Sequence, residues 1–103
     1  MPSSFRMSAK AVEDLKLIGL FMLQRWGRDQ RNTYLHKLDE SFHLLSEQPF
    51  SGAVCDDIRR GYRVYHVGRH LIFYRLVASR VEIIRILHER MNVEGQMGDS
   101  KGR

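Results

Sequence analysis

The hydrophobic period of this 103-residue chain changes between Pro49 and Ile58, and no other feature restricts its fold as much. Ahead of Pro49, Ala11, Leu15, Ile18, Met22 and Trp26 recur every three or four residues, and so do Tyr34, Leu38, Phe42 and Leu45. Each set lays an apolar stripe along one face of a helix. Beyond it, the apolar residues fall into short runs rich in Val, Ile, Tyr and Phe, which suit a pleated surface. The chain therefore divides into a helical half and a strand half. This is an α+β arrangement in one domain, because 103 residues support one hydrophobic core and leave no room for a second domain.

The punctuation supports the division. Ser4-Phe5-Arg6-Met7 alternates polar and apolar and reads as a short edge strand, and Ser8 is placed to cap the helix that follows. Gly27 ends that helix, Asp29 is expected to cap the next, and Pro49 stops it, having no N–H for the helical ladder. So short a connection makes an antiparallel helical hairpin. Residues 50–57 read as a loop. Residues 62–67 and 70–76, joined across Gly68-Arg69, form a strand pair, and residues 77–80 turn the chain into a third strand, 81–88. The expectation is a short N-terminal strand, an antiparallel helical hairpin and a three-stranded antiparallel sheet over residues 1–93. The polar, Gly-rich residues 94–103 are expected to form a mobile tail.

Charge is uneven along the chain. Residues 8–48 balance six Lys/Arg against six Asp/Glu, whereas residues 49–94 hold eight arginines, no lysine and five acids. Arginine's planar fork suits bidentate contact with carboxylates or phosphates. The lone Cys55 excludes an internal disulfide and a thiolate metal site, and it points to a reducing compartment. No basic or His residue adjoins it in sequence to activate it, so it reads as inert. No cofactor or metal is expected. The first residues lack the apolar core of a signal peptide, and the longest apolar run, residues 17–23, falls far short of the ~20 residues of a membrane span. A soluble protein of the bacterial or general cytosol, with no membrane partner, is expected.

Arg85 interrupts the apolar run Val81-Glu82-Ile83-Ile84-Arg85-Ile86-Leu87-His88. An unpaired guanidinium sealed in a core would cost ~3–5 kcal/mol, so one face of this strand is expected to be open. Arg85 then either pairs with Glu82 or an aspartate of the chain or contacts a target. Alternation puts Tyr62 with Val64, Ile72 with Tyr74 and Leu76, and Ile84 with Ile86 toward the helices, leaving Arg63, Arg75 and Arg85 on the opposite face. The strand leaves through His88-Glu89-Arg90-Met91, a polar exit with no packing role of its own. Helix one carries more apolar residues than one stripe needs, namely Leu17, Leu20, Phe21 and Leu23. That surplus implies a second covered face, under a second helix and the sheet or under a partner. Trp26 reads as core at the helix end.

Leu15 with Ile18, Trp26-Gly27 with Gln30 and Tyr34, Pro49, Ile58-Arg59 with Gly61-Tyr62-Arg63, Ile72-Phe73-Tyr74 and Ile83-Ile84-Arg85-Ile86-Leu87-His88-Glu89-Arg90-Met91 follow one another from about Phe5 to Asn92. Together they resemble the ParE branch of the RelE/ParE toxin family. The resemblance implies the toxin of a type II toxin–antitoxin module, which inhibits DNA gyrase by binding it, performs no chemistry of its own and is neutralised by a ParD-like antitoxin. It makes Arg85, His88, Glu89, Arg90, Met91 and Asn92 the gyrase-binding candidates, although the family's usual ending has Asp where this chain has Asn92. It makes Leu17, Leu20, Phe21 and Leu23, with Arg63 and Arg75, the antitoxin-binding candidates.

The RelE branch carries another activity on the same fold, ribosome-dependent mRNA cleavage, for which Arg63, Arg85 and His88 would be the catalytic set. This chain departs from that branch. It has no lysine between Lys37 and Lys101 and no tyrosine after Tyr74, and adjacent His88 and Glu89 point to opposite faces of a strand. Direct nucleic-acid binding is not expected either, since only four aromatics fall on the strands, interleaved with aliphatics.

Overall fold

Ser8 starts the helical half as its chemistry requires: its hydroxyl accepts the N–H of Ala11 at 3.0 Å, satisfying one of the donors that a first turn leaves orphaned. In the computed structural model, which describes residues 4–91 and 93–98, the order is β1 (Phe5–Met7), α1 (Ala9–Trp26), α2 (Arg28–Glu47), β2 (Ala53–Val54), β3 (Arg63–Val67), β4 (His70–Val77), β5 (Arg80–His88) and α3 (Val93–Gly98). The helical hairpin closes through one residue. Gly27, at φ 92°, donates to the Leu23 carbonyl at 3.1 Å and is at once the end of α1 and the N-cap of α2. So tight a link leaves no cap position for Asp29, which lies instead in the first turn of α2, where its charge meets the helix dipole. Helix α2 stops at Glu47, ahead of Pro49.

The expected three-stranded meander is present as β3, β4 and β5, but the sheet has five strands in the order β1-β5-β4-β3-β2 and is mixed. Strand β1 lies parallel to β5, with Phe5 opposite Val81 and Met7 opposite Ile83. At the other edge, residues 53–54, read from the sequence as loop, pair with β3. Strand β5 is thereby interior over its first half, which accounts for its nearly continuous apolar run. Its turn from β4 is a two-residue link in which Ala78 (φ 54°) and Ser79 (φ 65°) both take positive φ without being glycine.

The helical hairpin covers one face of the sheet, where Ala11, Ile18, Leu38, Phe42 and Leu45 pack on Val67, Ile72, Tyr74, Val81, Ile83 and Ile86. A second apolar cluster forms on the other face from Cys55, Tyr62, Phe73, Leu87 and Met97, with Val64, Leu71 and Ile84 against it. This corrects the strand faces expected from alternation. In β3 the inward residues are Tyr65 and Val67, because residues opposite each other across a ladder share a face and Tyr65 faces Ile72. In β5 the register with β4 slips between Phe73, opposite Arg85, and Tyr74, opposite Ile83. That bulge leaves Ile84 unpaired, so Val81, Ile83 and Ile86 all face the helices in spite of their spacing.

The expected open face of β5 is also corrected, since the second cluster covers it. Part of that cover is α3. Residues 94–98, read from the sequence as the start of a mobile tail, belong to a helix whose Met97 is 5% exposed. The apolar contact of Met97 and Val93 with Tyr62, Phe73 and Leu87 is the burial that composition alone did not reveal. Residues 99–103 lie outside the described residues. Among the described residues no helix is long and apolar enough to cross a membrane.

Candidate functional site

Strand β1 is too short to accompany β5 to its end, and α1 takes over the exposed edge. The Ser8 N–H donates to the Ile83 carbonyl at 2.9 Å and its hydroxyl to the Ile84 carbonyl at 2.7 Å. Nearly two turns further along α1, Asp14 accepts the Ile86 N–H at 2.9 Å and grips Arg85 from both carboxylate oxygens, at 2.8 Å to Nε and 3.0 Å to Nη2. Both side chains are nearly buried, 13% and 12% exposed. Of the two readings left open for Arg85, the internal pair is the one observed. Its partner is an aspartate of α1; Glu82 is paired with Arg75 at 3.0 Å. The sequence does carry a signal for Asp14, an acid standing between Ala11 and Ile18 on the buried stripe.

Beyond Arg85 the strand exit is fixed from both faces of the sheet. His88 sits opposite His70, ring centroids 5.3 Å apart and nearly perpendicular, and His70 Nδ1 lies 2.6 Å from the Tyr34 hydroxyl. Burial, and then the neighbouring His88, hold the His70 pKa down to about 4, so its imidazole is neutral at physiological pH. Burial likewise raises the Tyr34 hydroxyl. On the other face, Glu89 reaches His66 at 3.0 Å and, more loosely, Arg69 at 3.8 Å. The expected divergence of His88 and Glu89 is what the structure has. The backbone then tightens, with the Arg90 N–H on His88 Nδ1 at 3.0 Å and the Met91 N–H on the His88 carbonyl at 2.9 Å. Arg90 is exposed and Met91 is 45% exposed. Asn92 lies outside the described residues.

The candidates for a partner surface separate into two groups. Leu17, Leu20, Phe21 and Leu23 project from α1 and remain 38–61% exposed. Beside them a groove of about 530 Å³ runs between the helices, lined by Val12, Leu15, Leu20, Leu23 and Leu35, with Lys16 and Arg31 at its borders. Arg63 and Arg75 are elsewhere. Arg63 stacks over the Phe50 ring at 4.9 Å and donates to the Gly52 carbonyl at 2.6 Å; it shares the helix-side face with Tyr74, whereas Arg75, one residue on, faces the opposite way. Trp26, expected in the core, is 58% exposed, since as the last residue of α1 it borders an open groove with Arg69, His70 and His88 and does not pack beneath the hairpin. Cys55 is buried in the second cluster, and that burial, followed by Asp57 and Asp56, pushes its thiol pKa up, away from reactivity. Among the described residues no group of three or more His, Cys, Asp or Glu side chains could hold a metal ion.

The three residues that a nuclease reading would join do not converge. Arg85 is held against α1, Arg63 against the Gly52 carbonyl, and His88 against His70, which pairs with the opposite end of β3 from Arg63.

Comparison with known proteins decides the family. The family model described as "ParE toxin of type II toxin-antitoxin system, parDE" matches residues 5–93. The chain belongs to the ParE toxin family. A curated ParE relative, Toxin ParE1 of Caulobacter vibrioides, is 39% identical over 94 residues, 91% of this chain and 97% of that protein. Toxin ParE1 of Mycobacterium tuberculosis is 36% identical over 95 residues with the same coverage. Among solved structures, the chromosomal ParDE system of P. aeruginosa superposes with a TM-score of 0.72 at 19% identity, covering 84% of this chain and 96% of that one. The RelBE2 complex of M. tuberculosis follows at 0.58 and 22%, covering 85% and 99%. The ParE fold of this chain is thus also the fold of a RelBE toxin, and activity has to be argued from the site.

Proposed function

We propose that this ParE toxin inhibits DNA gyrase by binding it through the exit of β5, and that a ParD-like antitoxin neutralises it by covering the outer face of α1. The observation that carries the reading is the exit itself. Arg90 and Met91 project into solvent from a base clamped on one face by the His88–His70–Tyr34 contacts and on the other by Glu89 with His66 and Arg69. A pre-organised protrusion of one cation and one flexible apolar side chain suits docking, since little ordering entropy is lost on binding. Arg85 supports the exit from beneath through Asp14. The dispersal of Arg63, Arg85 and His88 argues against mRNA cleavage, which needs such groups within reach of one phosphodiester. For the antitoxin, the exposed Leu17, Leu20, Phe21 and Leu23 beside an apolar groove bordered by Lys16 and Arg31 suit an amphipathic, acidic segment.

The test is a pair of assays on the purified chain. Binding to immobilised DNA gyrase is expected, weakened by Arg90→Ala with Met91→Ala and unaffected by Arg75→Ala. In a translating extract, transcripts are expected to stay intact. Cut transcripts, with loss of cutting on Arg63→Ala, would replace this reading with the ribonuclease one.

A further inference from the structure

We propose that the groove at the hairpin end of the molecule binds a nucleotide of single-stranded DNA, its base stacked on Trp26 and Phe21 and its phosphate held by Arg25 and Arg69. This groove, of about 460 Å³, lies between the last turns of α1 and the strand ends that carry His70 and His88. Its size falls in the range of sites that enclose small ligands, roughly 300–1,000 Å³. Trp26 and Phe21 leave 58% and 57% of their surface in solvent at its wall, so more than half of each aromatic side chain is open to a ligand. Arg25 lies 5.8 Å from the Trp26 ring centroid, so the cation and the ring it borders form one platform. Arg69 stands across the groove at the β3–β4 turn, its side chain 67% exposed. No carboxylate is among the residues that line the groove. The acid that approaches Arg69 is Glu89, at 3.8 Å, and Glu89 is more closely engaged by His66.

The chemistry selects among anionic occupants. An acidic peptide would use the two guanidinium groups and leave both ring faces wet. A nucleotide uses both features, because every base has a π-face and every link a phosphate. Duplex DNA keeps its base faces stacked on one another, so the platform requires a single strand. The floor adds little hydrogen-bonding capacity. The Tyr34 oxygen is engaged by the Val67 carbonyl, His70 Nδ1 and the Arg69 N–H, and His88 Nδ1 by the Arg90 N–H. Neither the Tyr34 oxygen nor His88 Nδ1 is left to take up a ribose 2′-hydroxyl or to read a base edge, so the proposal is made for DNA and recognition is tolerant of sequence. Trp26 and Phe21 lie on a helix, apart from the strand aromatics whose scarcity spoke against nucleic-acid binding. The proposal concerns the free chain and does not rest on the gyrase reading, so either can fail alone.

Trp26 is the only tryptophan of the chain, so its fluorescence reports on this groove directly. Titration of the purified chain with octathymidylate is expected to give a saturable quench, and the affinity is expected to fall with log salt at a slope of roughly −0.7 for the one phosphate neutralised. Arg25→Gln with Arg69→Gln is expected to weaken binding about tenfold or more and to flatten that slope. Trp26→Leu, followed by anisotropy of a labelled octathymidylate, is expected to weaken it about tenfold while the thermal midpoint stays close to the parent's, since Trp26 is exposed. Four results overturn the proposal. These are no saturable quench at millimolar oligonucleotide, an equal quench by octaglutamate, which would make the occupant an acidic peptide, octauridylate binding tenfold tighter than octathymidylate, or a duplex binding as tightly as the single strand.

Discussion

Asp14 on α1 and Arg85 on β5, 71 residues apart, meet in a two-pronged ion pair that also absorbs the N–H of Ile86 at the edge of the strand. The pair resolves a conflict created by the short β1, which leaves the second half of β5 without a neighbour on that side, and by the β5 bulge, which swings a guanidinium to the sheet edge. One carboxylate satisfies both. Asp14→Ala is expected to destabilise the fold by ~3 kcal/mol or more, because a nearly buried cation and a backbone donor lose the same acceptor. Asp14→Leu with Arg85→Leu is expected to recover the part due to the stranded guanidinium, as removing both partners of a buried pair often does, and to leave ~1–2 kcal/mol for the Ile86 N–H that still lacks its acceptor. Urea denaturation of the two variants measures this; a loss below ~1 kcal/mol for Asp14→Ala would mean the pair is incidental.

The β4–β5 turn stores strain. Ala78 and Ser79 both hold positive φ, the pattern of a type I′ turn that Asn-Gly adopts most readily. Ala78→Asn with Ser79→Gly is expected to raise stability by ~1–2 kcal/mol, read as a thermal midpoint several degrees higher. An unchanged midpoint would show that the turn is relaxed.

The pH dependence of stability has a source in His70. Its folded pKa of about 4 lies below the unfolded value of 6.5, so between those limits the unfolded chain binds a proton that the folded chain does not. Stability is therefore full above pH 6.5 and falls as the pH drops toward 4. Burial and His88 act in this direction, while Glu89 and Asp14 pull the other way. His70 is partly exposed, so the loss is on the order of 2 kcal/mol. Urea melts at pH 7 and pH 4.5 are expected to show it, and His70→Asn is expected to reduce it. An identical pH drop in the variant would assign the effect to other groups.

Much of the framework is legible in the sequence because it rests on local signals. The stripe from Ala11 to Met22, the Ser8 cap, the Gly27 stop and the inward face of β4 each follow from side chains near in sequence, whereas the inward face of β3 is set by its pairing with β4. The rest depends on distant pairing. Strand β1 acquires its place only by meeting Val81 and Ile83, and the faces of β5 depend on a bulge that alternation cannot register. Helix α3 is fixed by Met97 entering a cluster with Cys55 and Tyr62. At the site, the exit residues His88 to Met91 are legible as a polar run, whereas the Tyr34–His70 contact beneath them joins residues 36 apart and has no sequence pattern.

The outer face of α1 is expected to separate stability from partner binding. Leu17 and Leu20 are 61% and 50% exposed, so Leu17→Asp with Leu20→Asp is expected to alter the fold by no more than ~1 kcal/mol. Affinity for an acidic ParD-like antitoxin is expected to fall by ~10–100-fold through lost apolar contact and like-charge repulsion, measured by titration calorimetry. Unchanged affinity would move the antitoxin to another surface.

Gyrase inhibition meets its sharpest test in the supercoiling of relaxed plasmid, with the chain in stoichiometric excess over gyrase. Supercoiling is expected to stop, and linear, protein-linked DNA is expected to accumulate only when gyrase is present. Arg90→Ala with Met91→Ala is expected to restore supercoiling without lowering the thermal midpoint by more than a few degrees, since both side chains are exposed. An undiminished supercoiling rate with the folded parent chain would contradict inhibition through the β5 exit.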